Sequence, residues 1–340
     1  MQPAYINEFS LTTEYALTHE LSLSAGYLGE VGDHLADYRN GNQLTLSQAI
    51  TIAQGGTAAA PYAPLVGQGG ILLITESEAI MNYNAGQVTL RQRTHHGLEY
   101  TLNYTYSKAM TNSSGNYGTP NINGSDGAYQ DGYNSHADYG PSGMDIRHSL
   151  NFVGVYELPY GRGRTFGSGA NGFLDAVLGG WKLSTSAFLY SGFPITINGP
   201  NNSNTNSYGQ ARANQYRPLV VHNRSINNWW GTDPSTVGCS GADNGVCAYG
   251  VAYNNGLPAF GTAAINTERA PGYRQVDTSL FKDFHIWREQ VVGFRADFFN
   301  IFNIASYGNP DNGVVDSNFG QISSVRSPAR QIQLSLHYAF

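Results

Sequence analysis

Apolar and polar positions alternate strictly over long stretches of this chain. At the carboxy-terminal end Ile332, Leu334, Leu336, Tyr338 and Phe340 fall on one side, and Gln331, Gln333, Ser335, His337 and Ala339 on the other. Successive side chains of a strand point to opposite faces, so this segment is a strand with one greasy and one wettable face. The pattern recurs upstream. Tyr5, Phe9, Leu11, Tyr15 and Leu17 oppose Glu8, Ser10, Thr12 and Glu14; Leu21, Leu23, Ala25 and Tyr27 oppose Ser22, Ser24 and Gly26. The clearest run sets Leu98, Tyr100, Leu102, Tyr104 and Tyr106 against Glu99, Thr101, Asn103, Thr105 and Ser107. Strands are likewise predicted over 83–93, 146–158, 181–189, 276–286 and 292–298, about nine in all.

The connections are lopsided. Thr18-His-Glu20, Thr94-His-His-Gly97 and Trp287-Arg-Glu289 are tight turns, and Tyr160-Gly-Arg-Gly-Arg164 leads into a predicted helical turn at 173–178. Between these units lie long Gly-, Asn- and Thr-rich segments, near 37–79, 111–144, 194–271 and 303–329. Short turns at one end and long loops at the other, joining strands with one apolar face, are the layout of an antiparallel transmembrane β-barrel. A soluble half-buried sheet shows the same alternation, but the aromatic last residue and the recurrence favour the barrel. The last strand is expected to run inward, which makes the first run inward too. An odd number of strands cannot be a whole single-chain barrel, where the number is even. The chain is therefore expected to be a fragment, with the apolar face toward outer-membrane lipid and the polar face toward the lumen.

Composition agrees. Charged residues are only 12%, about half the usual globular share, while aromatics reach 12% with 23 tyrosines, and glycines number 41. With a mean hydropathy of -0.32 the polarity comes from uncharged side chains. The net charge of -6 and the lack of a basic run argue against nucleic-acid binding. No window is apolar enough for a membrane-spanning helix, which leaves a barrel untouched, because barrel strands need only about 9–11 residues. The first residues lack a basic segment followed by an apolar core. The expectation is the carboxy-terminal part of a longer protein, or a truncated reading frame, spanning 1–340 without signal peptide or plug.

The polar faces carry Glu99, Lys182, Asp277, Asp283, Arg295 and Asp297, which keeps these charges out of lipid. Tyr156, Trp181, Trp287 and Tyr338, near strand ends, suit an interfacial aromatic girdle. Cys239 and Cys247 lie in a Gly/Asn/Asp-rich stretch; a small external disulfide loop is the favoured reading over free thiols or a zinc site, which lacks a nearby histidine. His95-His96 read as turn residues with no metal partner. Asp126, Asp131 and Asp138, set among Tyr129, Tyr133 and Tyr139, lack the spacing of a calcium loop, and Asp311 to Asp316 is no stronger. No nucleophile, zinc or phosphate motif occurs, so neither an enzyme nor a bound cofactor is expected. The aromatic loop residues Trp229, Trp230, Tyr249 and Tyr253 are the candidates for contact with an extracellular ligand, with loop-on-loop packing as the alternative.

An ordered series of blocks carries a family resemblance. It runs through Ser24-Ala-Gly-Tyr-Leu-Gly29, Tyr83-Asn-Ala-Gly-Gln-Val88, Tyr104-Thr-Tyr-Ser-Lys108 and Asp145-Ile-Arg-His148. It continues in Tyr156-Glu-Leu-Pro-Tyr-Gly-Arg-Gly163, Gly179-Gly-Trp-Lys-Leu183, Ser191-Gly-Phe-Pro-Ile195 and Phe294-Arg-Ala-Asp-Phe-Phe-Asn-Ile-Phe-Asn303, and closes with Phe319-Gly-Gln-Ile322 and the last strand. In this order the blocks resemble the barrel of TonB-dependent outer-membrane receptors, in particular the Oar-like group with a carboxypeptidase-regulatory-like domain at the amino end. The resemblance implies a plugged 22-stranded barrel in the outer membrane of a Gram-negative bacterium, of which this chain supplies the last nine strands. It implies barrel-assembly machinery engaging the strand that ends in Phe340, TonB acting only through a plug region outside this chain, and import of a ligand too large for porins. A structural or adhesive surface barrel and a secreted glycan-binding β-protein are the alternatives. Gly86 departs from the usual block, where a larger apolar residue precedes Gln87.

Overall fold

Period-two alternation becomes one continuous sheet in the computed structural model, which describes residues 2–113, 129–231, 238–239, 248–252, 254–287 and 289–340. Nine strands follow one another in chain order: β1 (Tyr5–Ala16), β2 (Leu21–Asn40), β3 (Leu73–His95), β4 (Leu98–Thr111), β5 (His148–Glu157), β6 (Lys182–Tyr190), β7 (Tyr273–Trp287), β8 (Gln290–Phe299) and β9 (Gln331–Ala339). The two-residue strand Gly140–Pro141 pairs with β4 and brings the sheet to ten among the described residues. All these pairings are antiparallel. Sequential antiparallel pairing is the up-and-down order of a barrel wall, not the two packed sheets of a sandwich. The wall is open, because β1 and β9 are not paired with each other among the described residues.

The registers carry each apolar face across the whole sheet. Leu11 stands opposite Tyr27, Leu23 opposite Leu90 and Leu90 opposite Leu102. Leu102 opposes Phe152, Phe152 opposes Ala187, and Leu183 opposes Leu280. Leu280 opposes Ala296, which opposes Leu334. The same registers align Ser24 with Thr89, Thr89 with Asn103, Asn103 with Asn151, and Asp297 with Gln333. Glu99, Lys182, Asp277, Asp283, Arg295 and Asp297 all sit on this second face. Gly86 falls on the apolar face between Tyr27 and Tyr106, with open space where a side chain would stand.

Over most of its extent the apolar face is not covered by the chain. Leu11 is 71% exposed and Leu336 76%, and Val88 and Tyr104 in the middle of the sheet are exposed as well. A soluble sheet buries that face against a second layer. Here the buried apolar cluster lies elsewhere, in Ile195, Ile197, Ala213, Trp230, Ala248, Tyr249, Ala263, Ala270 and Val314, all within the long loops. No described helix is long and apolar enough to cross a membrane.

Two strands run further than the sequence pattern predicts. The β2–β3 hairpin continues past Val31 to Asn40 and starts again at Leu73, so the predicted loop near 37–79 shrinks to 41–72. Register shifts between Gly32 and Leu35 and between Leu35 and Asp37 break the alternation, and His34 takes a left-handed conformation with φ 56° at the first. Each bulge inserts an unpaired residue and flips the facing of those beyond it, which hides the extension from a period-two reading. The remaining loop folds into α1 (Leu46–Ala53), started by a capping box between Thr45 and Gln48, and the short α2 (Ala63–Val66) with a proline in its first turn. The predicted helical turn is α3 (Gly172–Leu178), with Asn171 as its N-cap.

Candidate functional site: the inner wall and the loop layer

Two surfaces can meet a solute: the polar face of the wall and the layer built by the long loops at one end of it. The wall is a hydrogen-bonding ladder. Thr89 donates to Asn103 at 2.8 Å, Arg295 pairs with Asp297 at 2.7 Å, and Lys182 pairs with Glu157 at 3.0 Å. Glu8, Glu14, Glu30 and Asp283 add further carboxylates to the cross-strand register. Carboxylates outnumber the cations Arg91, Arg93, Lys182 and Arg295 on this face. The surface is wettable and net acidic, suited to hydrated or cationic groups.

The loop layer is locked by polar anchors that the sequence blocks supply. Asp145 is 1% exposed, accepts from the Ala109 amide at 2.7 Å and holds the Arg269 guanidinium, with Arg147 at 3.4 Å. Arg269 also reaches the Asp145 carbonyl at 2.8 Å, which ties the longest loop to the top of β4 and β5. At Gly192 an added Cβ would lie 1.7 Å from the Ala270 carbonyl, so the Ser-Gly-Phe-Pro block needs glycine for this close approach. Asn300, left-handed at φ 50°, ends β8; its amide nitrogen donates to Asp277 at 2.8 Å and its side chain to the Ile304 and Pro328 carbonyls. Deeper, Arg212 and Asp138 form an ion pair at 2.9 Å with both side chains nearly inaccessible. Gln130 clamps both partners, donating from its amide to Asp138 and accepting the Arg212 amide at 2.8 Å.

The predicted ligand residues divide. Trp230 is 2% exposed, packs against Phe319 and donates to the Asp311 carbonyl at 3.0 Å. Tyr249 is 1% exposed, and its hydroxyl donates to Glu268 at 2.7 Å and accepts from Gln215 at 3.2 Å. Both rings serve as loop-on-loop anchors here. Trp229 is half-buried, donates to the Arg269 carbonyl at 2.8 Å and has the Arg224 guanidinium 4.2 Å from its ring. Tyr253, Asp126 and Cys247 lie outside the described residues, as does the Cys239 side chain, so the disulfide reading lies outside them too. Tyr129 and Asp138 are buried in the loop layer, whereas Tyr133 is 50% exposed while its hydroxyl holds the Gln43 carbonyl at 2.6 Å. The periodic sequence gave no sign of a groove of about 700 Å³ at the bulged end of β2 and β3, lined by Asp33, His34, Glu76, Glu78 and His136. Among the described residues no three His, Cys, Asp or Glu side chains converge as a metal site.

Burial pushes the Glu268 carboxyl above its usual range, against the opposing pull of the Tyr249 hydroxyl and Arg224, and pushes Asp138 up against the pull of Arg212. A carboxylate raised by folding binds more protons in the folded state over that window. Its stabilising contribution is therefore full below the unfolded value and is lost as pH rises through the folded one. The loop layer is expected to resist proteolysis longer at pH 5 than at pH 7.5. Glu268→Gln keeps an acceptor for Tyr249 and is expected to flatten that dependence, read as the cleavage half-life of the loops at the two pH values.

The outer membrane transporter YddB from Escherichia coli shares 8% identity with this chain at a TM-score of 0.44; the alignment covers 98% of this chain. The chain spans 32% of that transporter's length. No curated protein matches the chain. The family model described as "Outer membrane beta barrel domain" matches residues 1–333, in keeping with a wall whose apolar face is left for lipid. The chain belongs to the outer membrane beta barrel domain family and is a protein of the outer membrane.

Proposed function

We propose that this chain forms part of the wall of a TonB-dependent receptor barrel of the Oar-like group, which imports a ligand too large for porins. The observation that carries the reading is the pairing of a hydrogen-bonding inner face, continuous through nine strands, with a thick, anchored loop layer at one end. A bare structural wall needs no such layer, whereas a receptor needs a rigid outer surface to capture its ligand and a wettable wall to pass it. In lipid an open sheet edge is not viable, so the free edges of β1 and β9 call for further strands. On this reading those strands and a plug come from sequence outside residues 1–340, and TonB acts through the plug. The acidic inner face and the groove beside Glu76 and Glu78 favour a ligand rich in cationic or hydrogen-bonding groups.

The coding region immediately upstream of Met1 tests the reading. A plug-sized domain with a TonB-contacting segment, together with loss of energised uptake when that segment is deleted, is the expected result. An upstream region with neither, or uptake indifferent to TonB, overturns it. An adhesive surface barrel is the second reading, favoured by apolar side chains such as Leu65, 72% exposed, on the loop layer. It predicts binding to surfaces that survives removal of TonB.

A further inference from the structure

The helix α3, in the connection between β5 and β6, has two unlike sides. Phe173, Leu174, Val177 and Leu178 stand at i, i+1, i+4 and i+5 and share one face, with Asp175 and Ala176 off it. That apolar face is uncovered: Phe173 is 77% exposed and the other three about equally half-exposed. The helix is nevertheless held firmly from its carboxy-terminal end. The Lys282 ammonium donates to the carbonyls of Asp175, Ala176 and Gly179, and the Trp181 indole donates to the Val177 carbonyl at 2.9 Å. A cation at the carbonyl end of a helix meets the negative pole of its dipole.

The location of Lys282 decides where the helix lies. The β7–β8 register sets Lys282 opposite Phe294, between Leu280 and Phe284, on the apolar face of the wall. It departs from the rule that charges take the polar face, and it is 5% exposed. Its ammonium lies 4.9 Å from the Phe284 ring centroid and 5.8 Å from that of Trp181, and Trp181 packs edge-on against Phe284 and Phe294. A lysine facing lipid costs about 2–4 kcal/mol at the midplane and about 0–1 kcal/mol near the interface. Helix carbonyls on the lipid side of the wall, at its short-turn end, complete the accommodation.

We propose that α3 is an interfacial anchor: it lies against the outside of the wall, in the headgroup–acyl boundary of the periplasmic leaflet, with Phe173, Leu174, Val177 and Leu178 inserted among phospholipid chains. The occupant is lipid because the exposed face of the helix continues the lipid-facing band through Trp181, Phe284 and Phe294. Interfacial amphipathic helices bury such a face about 5–10 Å into that boundary. Lys282 and Trp181 fix the helix to the wall, so the anchor sets how deep the periplasmic rim sits.

The test uses outer membranes from cells producing the protein with both native cysteines replaced by serine. A single nitroxide is placed through Phe173→Cys, through Gly169→Cys as the aqueous reference or through Leu334→Cys as the lipid reference. The expected result is that the label at 173 collides with oxygen in preference to a water-soluble nickel chelate, as at 334. A collision ratio matching 169 overturns the proposal. Adding Lys282→Met is expected to move the label at 173 toward the aqueous ratio while the label at 334 keeps its own. Should that variant not assemble, Trp181→Phe, which deletes only the indole donor, is expected to shift the ratio in the same direction. An unchanged ratio at 173 in an assembled variant overturns the assigned tether.

Discussion

Leu102→Arg is expected to destabilise the membrane-assembled wall by about 2–4 kcal/mol, while Asn103→Arg one residue away costs little. Leu102 stands at the centre of the apolar ladder, opposite Leu90 on β3 and Phe152 on β5. A guanidinium there must reach through acyl chains to find water. Asn103 faces the other way, opposite Thr89 and Asn151, where an added cation meets hydrogen-bonding neighbours and solvent. Urea midpoints of the two variants in the same lipid measure the contrast. Equal losses mean that both faces see one environment and that the wall does not separate lipid from water.

Trp230→Ala is expected to cost about 3–5 kcal/mol, and to spend it in the loop layer, not the wall. The ring is nearly inaccessible, packs on Phe319 and belongs to the buried cluster that holds Ile195, Ile197 and Val314 together. Truncation opens a cavity and strips the Asp311 carbonyl of its donor, an added penalty of about 1–3 kcal/mol if nothing replaces it. Residues of this cluster come from loops far apart in sequence, so losing it frees the segment 191–272 first. The measurement is limited proteolysis of intact membranes. Cleavage within that segment should accelerate strongly while the strands stay protected, and Phe302→Ala, at a side chain already 68% exposed, should change neither. Simultaneous loss of loops and strands means that the two layers fold as one unit.

The wall was legible in the sequence because its chemistry is local. From Leu98 to Tyr106 each side chain's neighbour in sequence faces the opposite phase, and lipid on one side and water on the other force that alternation. The upper β2–β3 hairpin was hidden because its bulges shift the facing and because beyond the membrane no lipid imposes the pattern. Trp230 and Tyr249 stood out as aromatic loop residues, yet nothing near them in sequence separates a buried anchor from an exposed contact. Their partners, Asp311 and Gln215, lie in other parts of the loops. Lys282 was hidden for a similar reason: the alternation sets it in phase with Leu280 and Phe284, and the carbonyls that hold it on that apolar face lie about a hundred residues upstream.

The two-phase wall is tested most directly by an apolar carbene precursor confined to the bilayer, activated in intact outer membranes and mapped by residue. Leu102, Tyr104, Leu334 and Leu336 should carry the label, and Asn103 and Gln333 should remain unmodified. Equal modification of both sets, or none in either, would contradict a wall with lipid on one face and solvent on the other.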